Sequence, residues 1–224
     1  MTQDPIEIET APNPTASMII LHGLGADGSD FVPVAHELDL SAVGPVRFVF
    51  PHAPVRPVTI NNGYVMPAWY DILSLDAQSP REDEAGLRQS QALVEELIAR
   101  EKARGIPARR IVLAGFSQGC AMTLMTGLRH AERLAGLVCM SGYLPLAAKA
   151  EAERHAGNHD LPIFMAHGTL DPVIAIARGR SSRDALVRLG HPVEWHEYPM
   201  PHSVCAEEIA DMEGWLRRHL GDAA

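Results

Sequence analysis

A serine flanked by two glycines carries the strongest chemical signal in the sequence. Residues 115–119 have the pattern Gly-x-Ser-x-Gly, with Ser117 at the centre, between the apolar run 110–114 and the Pro- and Gly-free run 120–125. A serine on such a sharp strand-to-helix turn adopts a strained backbone, and small flanking residues relieve the crowding. The turn places the hydroxyl at a helix N-terminus, where peptide dipoles favour developing negative charge. We therefore predict that Ser117 is a nucleophile.

Two later loops supply the groups that a serine nucleophile needs. A base must remove the hydroxyl proton, and a carboxylate must orient that base. Asp171 follows the apolar run 162–167, and His202 follows the run 193–198. The carboxyl ends of parallel strands meet at one edge of a sheet, and the order Ser, acid, His is that of the α/β-hydrolase fold. The sequence predicts Ser117, Asp171 and His202 as the catalytic triad.

Other residues compete for two of these roles. Asp160 and Asp184 are the alternative acids, and the chain has 11 histidines. Three of these, His22, His52 and His167, end strands near the predicted site. We expect them to form supporting hydrogen bonds there rather than to act as the base.

Two backbone N–H groups are predicted to bind the oxyanion of a tetrahedral intermediate. In this fold one donor follows the nucleophile and the other lies in the loop after an early strand, which points to Gln118 and Leu24. The glycine-rich stretch 22–25 has an alternative interpretation as a phosphate loop. Its spacing matches neither the dinucleotide-binding nor the Walker pattern, which excludes that interpretation.

Strands and helices alternate along the whole chain. Apolar runs predict strands at 17–21, 46–50, 110–114, 136–141, 162–167 and 193–198, and helices are predicted at 29–38, 80–104, 175–189 and 204–220. This alternation predicts a mostly parallel central sheet with helices on both faces. Together with the Gly-x-Ser-x-Gly turn it indicates an α/β-hydrolase fold. We expect one domain over residues 1–224, with 1–15 as a loosely ordered N-terminal segment.

The segment 51–80 is rich in Pro and Asn and is predicted to be a long loop that walls the site. The helix after it has Ser79 as a predicted N-cap and Pro80 at its first position. Glu82 is placed to complete a capping box.

Composition excludes several classes of protein. The 224 residues are 46% hydrophobic and 21% charged, and the formal net charge is −9. Nucleic acids and anionic membrane surfaces require a basic face, so neither is an expected partner. No signal sequence and no apolar run of membrane-spanning length occur, and we expect no stable membrane anchor.

The three cysteines are predicted to be free thiols, and the sequence contains no metal-binding motif. Cys120, Cys139 and Cys205 show no Cys-x-x-Cys spacing and are predicted to be free thiols in a reducing compartment, the cytoplasm. No His-Glu-x-x-His cluster is present, so no metal is expected.

Six motifs together resemble the small carboxylesterase/acyl-protein thioesterase group, the phospholipase/carboxylesterase family of α/β-hydrolases. They lie at residues 21–28, 51–54, 68–71, 115–119, 141–145 and 167–171. Bacterial carboxylesterases are the most similar members. The sequence departs from the family after Asp171, where it reads Pro-Val-Ile-Ala and relatives often have a second proline.

The resemblance implies a serine esterase without a cofactor, with Ser117, Asp171 and His202 as triad and Leu24 and Gln118 as oxyanion donors. It also implies a small-molecule ester substrate bound in a shallow apolar groove, and frequent homodimers. Met66, Trp69 and Tyr70 are candidate residues of the groove wall; ordinary packing of the loop is the alternative.

The expected function is hydrolysis of short- to medium-chain carboxylic esters through an acyl-enzyme intermediate. The alternative is an acyl-protein thioesterase or lysophospholipase that acts on longer acyl chains. A non-catalytic binding module would be favoured by the loss of a triad residue, and none is lost.

Overall fold

A seven-stranded sheet forms the centre of the fold in the computed structural model, which describes residues 3–74 and 82–221. The strands are β1 (Ile6–Glu9), β2 (Ala16–Leu21), β3 (Val46–Phe50), β6 (Ile111–Phe116), β7 (Gly136–Met140), β8 (Ile163–Gly168) and β9 (Val193–Tyr198), numbered with the hairpin strands β4 (Val55–Val58) and β5 (Tyr64–Pro67). Their order is β1-β3-β2-β6-β7-β8-β9. Only β1 runs antiparallel to its neighbour, so the predicted mostly parallel sheet is confirmed.

Helices cover both faces of the sheet, as the alternating pattern predicts. They are α1 (Val32–Glu37), α2 (Glu84–Ala103), α3 (Gln118–Gly127), α4 (Ala147–Glu153), α5 (Ile176–Arg188) and α6 (Ala206–Gly221). One apolar core joins the sheet to α2, α3, α4 and α5, and a second joins its other face to α1 and α6. Within 3–74 and 82–221, no helix has the length and apolar character needed to cross a bilayer.

The N-terminal segment is ordered by pairing, so the prediction of loose order is wrong for residues 6–9. β1 pairs with β3 from Ile6 opposite Phe50 onward. Glu7 also forms ion pairs with Arg100 of α2, at 2.8 Å, and with Arg104 directly after α2, at 2.9 Å. The alternating Ile and Glu residues of β1 are a strand signal, because period-two alternation suits a half-buried edge strand.

The segment after β3 is a hairpin rather than a structureless loop. β4 and β5 pair antiparallel, with Val55 opposite Pro67. Asn62 and Gly63 make the turn with positive φ values of 55° and 75°, a conformation that Asn and Gly adopt most readily. The hairpin gives this segment a defined shape beside the sheet edge that carries the predicted site.

Helix α2 starts later than predicted. It begins at Glu84, and the Asp83 carboxylate caps it by accepting a hydrogen bond of 2.9 Å from the N–H of Gly86. Glu82 accepts a bond from the N–H of Leu146 instead of closing a capping box. The predicted cap Ser79 and first residue Pro80 lie outside the described residues.

Candidate active site

Ser117 occupies a strained turn between β6 and α3. Its φ of 56° and ψ of −114° lie outside the regions that L-residues ordinarily adopt, at a cost of about 1–3 kcal/mol. The N–H of Ser117 donates to the carbonyl of Met140 at 2.9 Å and fixes the turn to β7. A Cβ atom at Gly119 would overlap the carbonyl of Leu21, and one at Gly115 would overlap the backbone of Gly119. Both glycines are therefore required by close approach, as the pattern predicts.

Asp171 and His202 are joined by a short hydrogen bond. The Nδ1–H of His202 donates to Oδ2 of Asp171 at 2.6 Å, and the Asp171 side chain is fully buried. Its Oδ1 accepts the N–H groups of Val173 and Ile174 at 2.8 and 2.9 Å. The carboxylate is thus held by the turn that follows it, and the bond to Nδ1 leaves Nε2 of His202 free to accept a proton.

Backbone hydrogen bonds tie the loops after β8 and β9 together. The N–H of Thr169 donates to the carbonyl of Tyr198 at 2.8 Å, and that of Leu170 to Met200 at 3.1 Å. The ring of His202 packs on Phe116, with centroids 4.7 Å apart. Since Phe116 precedes the nucleophile, the Asp–His pair lies on the sheet edge from which Ser117 emerges.

The alternative acids lie elsewhere. Asp160 pairs with Arg133 and Asp184 pairs with Arg183, in both cases at the surface. Neither carboxylate contacts His202 in the described parts of the chain.

The two predicted oxyanion donors border the same serine. Gln118 is the first residue of α3, and the N–H of a first helical residue has no acceptor within its helix. The N–H of Leu24 has no acceptor among residues 3–74 and 82–221. A Cβ atom on Gly23, the residue before Leu24, would lie 3.5 Å from Cβ of Ser117. Both N–H groups are therefore available beside the nucleophile.

Comparison with known proteins decides the family. The model of the phospholipase/carboxylesterase family matches residues 4–220. The chain belongs to the phospholipase/carboxylesterase family. It is thus a serine hydrolase with the α/β-hydrolase fold, as the sequence motifs predict.

Three known proteins are similar to the chain. It is 40% identical over 210 residues to acyl-protein thioesterase 1 of Yarrowia lipolytica, covering 92% of each chain. It is 41% identical over 228 residues to acyl-protein thioesterase 1 of Neurospora crassa, covering 98% of this chain and 93% of the relative. The crystal structure of Arabidopsis thaliana SOBER1 superposes with a TM-score of 0.86 at 30% identity, covering 92% of this chain and 99% of that one.

Histidines on two strand-end loops support this hydrolase site through hydrogen bonds. Nδ1–H of His22 donates to the carbonyl of Gly23 at 2.7 Å, and Nε2 accepts the N–H of Ala53 at 3.0 Å. Burial lowers the pKa of His22, and the two hydrogen bonds set its tautomer. Nδ1 of His52 accepts the N–H of Gly28 at 3.2 Å. Both rings thus form hydrogen bonds within the loops that border the predicted site.

His167 supports the acid loop in the same way. Its buried Nε2 donates to the carbonyl of Ile174 at 2.8 Å and lies 3.4 Å from Oδ2 of Asp171. The turn after Asp171, where the sequence departs from the family pattern, is therefore held from both ends.

Two of the three predicted groove residues are buried instead. The side chains of Trp69 and Tyr70 belong to the apolar core, and the Tyr70 hydroxyl is 2.7 Å from that of Tyr143. Of the three, only Met66 remains partly exposed, with its sulfur 3.5 Å from Nδ2 of Asn61. The prediction that Trp69 and Tyr70 line a groove is corrected, because loop packing takes both aromatic rings into the core.

Exposed apolar side chains on the hairpin and on the acid loop were not predicted from the sequence. Five large apolar side chains are each more than half exposed on the hairpin and the acid loop: Val55, Tyr64, Val65, Leu170 and Val173. No group of three or more His, Cys, Asp or Glu residues in the described ranges could hold a metal ion.

Proposed function

We propose that the protein hydrolyses thioesters of long acyl chains on protein cysteines, through an acyl-serine intermediate. The hydrogen-bonded Asp171–His202 pair, on the sheet edge that carries strained Ser117, supports the chemistry. The choice of substrate rests on the relatives at 40 and 41% identity, which are named acyl-protein thioesterases. They favour the alternative of the sequence analysis over hydrolysis of short-chain carboxylic esters.

Acylation begins when Nε2 of His202 accepts the hydroxyl proton of Ser117 as Oγ attacks the thioester carbonyl. The carbonyl oxygen becomes an oxyanion, which accepts hydrogen bonds from the N–H groups of Leu24 and Gln118. Collapse of this intermediate breaks the C–S bond, and His202 returns the proton to the departing cysteine sulfur. Asp171 keeps the imidazole in the required tautomer and stabilises its protonated form.

Deacylation repeats these steps with water as the nucleophile. His202 removes a proton from water, the resulting hydroxide attacks the acyl-serine, and the oxyanion forms again at the same two N–H groups. Collapse releases the fatty acid and returns the proton to Ser117. No cofactor enters this scheme.

The exposed apolar side chains support an acyl substrate. Leu170 and Val173 flank Asp171, and the hairpin that carries Val55 and Val65 is bonded to the oxyanion loop through Gly25, whose N–H donates to Pro67 at 2.9 Å. Burying a methylene group stabilises binding by about 0.8 kcal/mol, so a long chain gains more from such a surface than a short one.

Location and partners remain part of this proposal. Cys120, Cys139 and Cys205 are free. A reducing compartment such as the cytoplasm would keep them as thiols. The S-acylated cysteines of cytoplasmic proteins would be accessible to the enzyme in the same compartment. A homodimer is likewise proposed only on the family resemblance.

A matched set of acyl peptides tests the proposal. One peptide sequence is prepared in two forms, acylated on cysteine as a thioester or on serine as an oxoester. Each form carries an acyl chain of two, eight or sixteen carbons. We expect kcat/KM to be highest for the sixteen-carbon thioester, by about 10-fold or more over the two-carbon one. Ser117→Ala, the control, should abolish every reaction.

Two outcomes would contradict the proposal. A maximum on the two- to eight-carbon oxoesters would identify a carboxylesterase of short acyl chains. No turnover of any substrate by the folded protein would support the binding-module interpretation.

A further inference from the structure

The segment from Pro67 to Tyr70 is bonded to both sides of the predicted oxyanion loop. The indole N–H of Trp69 donates to the carbonyl of His22 at 2.9 Å, and the carbonyl of Pro67 accepts the N–H of Gly25 at 2.9 Å. Leu24 lies between these two attachment points in the chain. The orientation of its N–H is therefore set by the position of the segment.

The same segment is bonded to the other donor residue. The Gln118 side-chain amide accepts the N–H of Trp69 through Oε1 at 2.7 Å and donates to the carbonyl of Tyr70 through Nε2 at 2.7 Å. Gln118 is buried, so water does not compete strongly for these bonds. Both polar atoms of the Gln118 side chain, Oε1 and Nε2, thus hold the first residue of α3 to the segment.

The segment itself is held by its surroundings. Ser90 of α2 donates a hydrogen bond to the carbonyl of Trp69, and the N–H of Ala68 donates to Pro54 at 2.9 Å. Trp69 is only 1% exposed and packs in the core, with its ring 5.3 Å from that of His22. These contacts make residues 67–70 a rigid strap. The strap joins the loop after β2 to the start of α3, which are distant in sequence.

We propose that Trp69 and Gln118 are positioning residues whose side chains set the separation of the two oxyanion donors. This inference rests on the proposed function, in which the N–H groups of Leu24 and Gln118 bind the oxyanion. Donors fixed in advance stabilise the transition state without reorganisation, and an error of about 1 Å in position can cost about 100-fold in rate. The polar atoms of both side chains thus act on the reaction through the backbone.

Two substitutions remove these bonds and leave both backbone N–H groups in place. Trp69→Phe removes only the indole donor and some volume, and Gln118→Met keeps the length of the side chain without its amide. Trp215→Phe is the matched control, because Trp215 is also 1% exposed and lies in the core on the opposite face of the sheet. The control reproduces the loss of packing without touching the strap.

The readouts are kcat, KM, the melting temperature, and the inhibition constant of a trifluoromethyl ketone with the same acyl chain, which forms a tetrahedral adduct with serine. For both strap variants we expect kcat to fall about 10-fold, the inhibition constant to rise in parallel, and KM to stay within about 2-fold. Trp215→Phe should lower the melting temperature while kcat and the inhibition constant keep their wild-type values.

Strap variants that lose only thermal stability, with kcat and the inhibition constant of the wild type, would overturn the inference and leave the proposed function intact. A rise in KM at an unchanged kcat would also overturn it, because the substitutions would then weaken only the ground-state binding of the substrate. Gln118→Met provides the decisive result if Trp69→Phe does not fold. A folded wild type that hydrolyses no acyl substrate would instead contradict the proposed function itself.

Discussion

At the scale of residues, the site depends on three side chains held by unequal means. Ser117 is held by the turn whose N–H bonds to Met140, Asp171 by the two N–H groups of its own turn, and His202 by one hydrogen bond to Asp171 and by packing on Phe116. His202 is the least constrained of the three. Its orientation should therefore be the most sensitive to a change in its partner.

Asp171→Asn tests that dependence. The Asn amide can keep the bonds of the turn through its oxygen, but its NH₂ group cannot accept the Nδ1–H of His202, so the ring would adopt the wrong tautomer. We expect kcat to fall by up to about 10⁴-fold at an unchanged melting temperature. Steady-state kinetics and thermal unfolding of the same sample provide the check, and a loss of less than about 10-fold would argue against Asp171 as the acid.

Some residue roles could be predicted from the sequence and others could not. Asp171 and His202 could be predicted because each follows a predicted strand, in the chain order that the fold requires. The buried state of Trp69 and Tyr70 was not accessible. An aromatic residue in a Pro-rich segment has the same sequence signal whether it lines a groove or fills the core, and only the partners His22, Gln118 and Tyr143 decide it.

At the scale of elements, the central strands were predicted closely and the peripheral ones were missed. β3 has the predicted bounds and β7 ends one residue before its predicted end, because buried strands form nearly continuous apolar runs. β4 and β5 each contain a proline, which is a signal against a strand in the interior of a sheet but is tolerated in a two-stranded hairpin. β1 has only four residues and pairs with a strand some 40 positions away, which local patterns do not reveal.

Helix ends were the least predictable elements. The start of α2 is set by the Asp83 cap and by the bond between Glu82 and Leu146, a contact 64 residues apart in the chain. The short helix α4 was not predicted at all. Its N-cap residue Leu146 has a φ of 48° and is bonded by that same contact, without a side-chain capping signal of its own.

At the scale of the whole molecule, one buried carboxyl group links stability to pH. Glu208 of α6 is fully buried, and no side chain among the described residues forms a hydrogen bond with its carboxyl oxygens. Burial raises the pKa of Glu208 from its ordinary 4.5 to about 8. The folded state therefore keeps a proton that the unfolded chain loses, and the free energy of unfolding contributed by this group decreases as pH rises from about 4.5 to about 8.

Glu208→Gln should remove this dependence, because the amide stays neutral at every pH. Relative to the wild type, we expect the variant to gain stability as pH rises, by up to about 3 kcal/mol at pH 7. Urea unfolding at pH 5, 6, 7 and 8 measures the difference between the two proteins, in which the other titrating groups cancel. Glu207→Gln, at the exposed neighbouring position, controls for the change of charge; a constant difference between Glu208→Gln and the wild type would contradict the prediction.

The central claim is that Ser117 is the nucleophile and His202 activates it. Labelling with a fluorophosphonate, followed by mass spectrometry of the peptides, tests this most directly. We predict one label per chain on Ser117, none in Ser117→Ala, and a labelling rate reduced by about 10³-fold or more in folded His202→Ala. A label on another residue, or an unchanged rate in His202→Ala, would contradict the account.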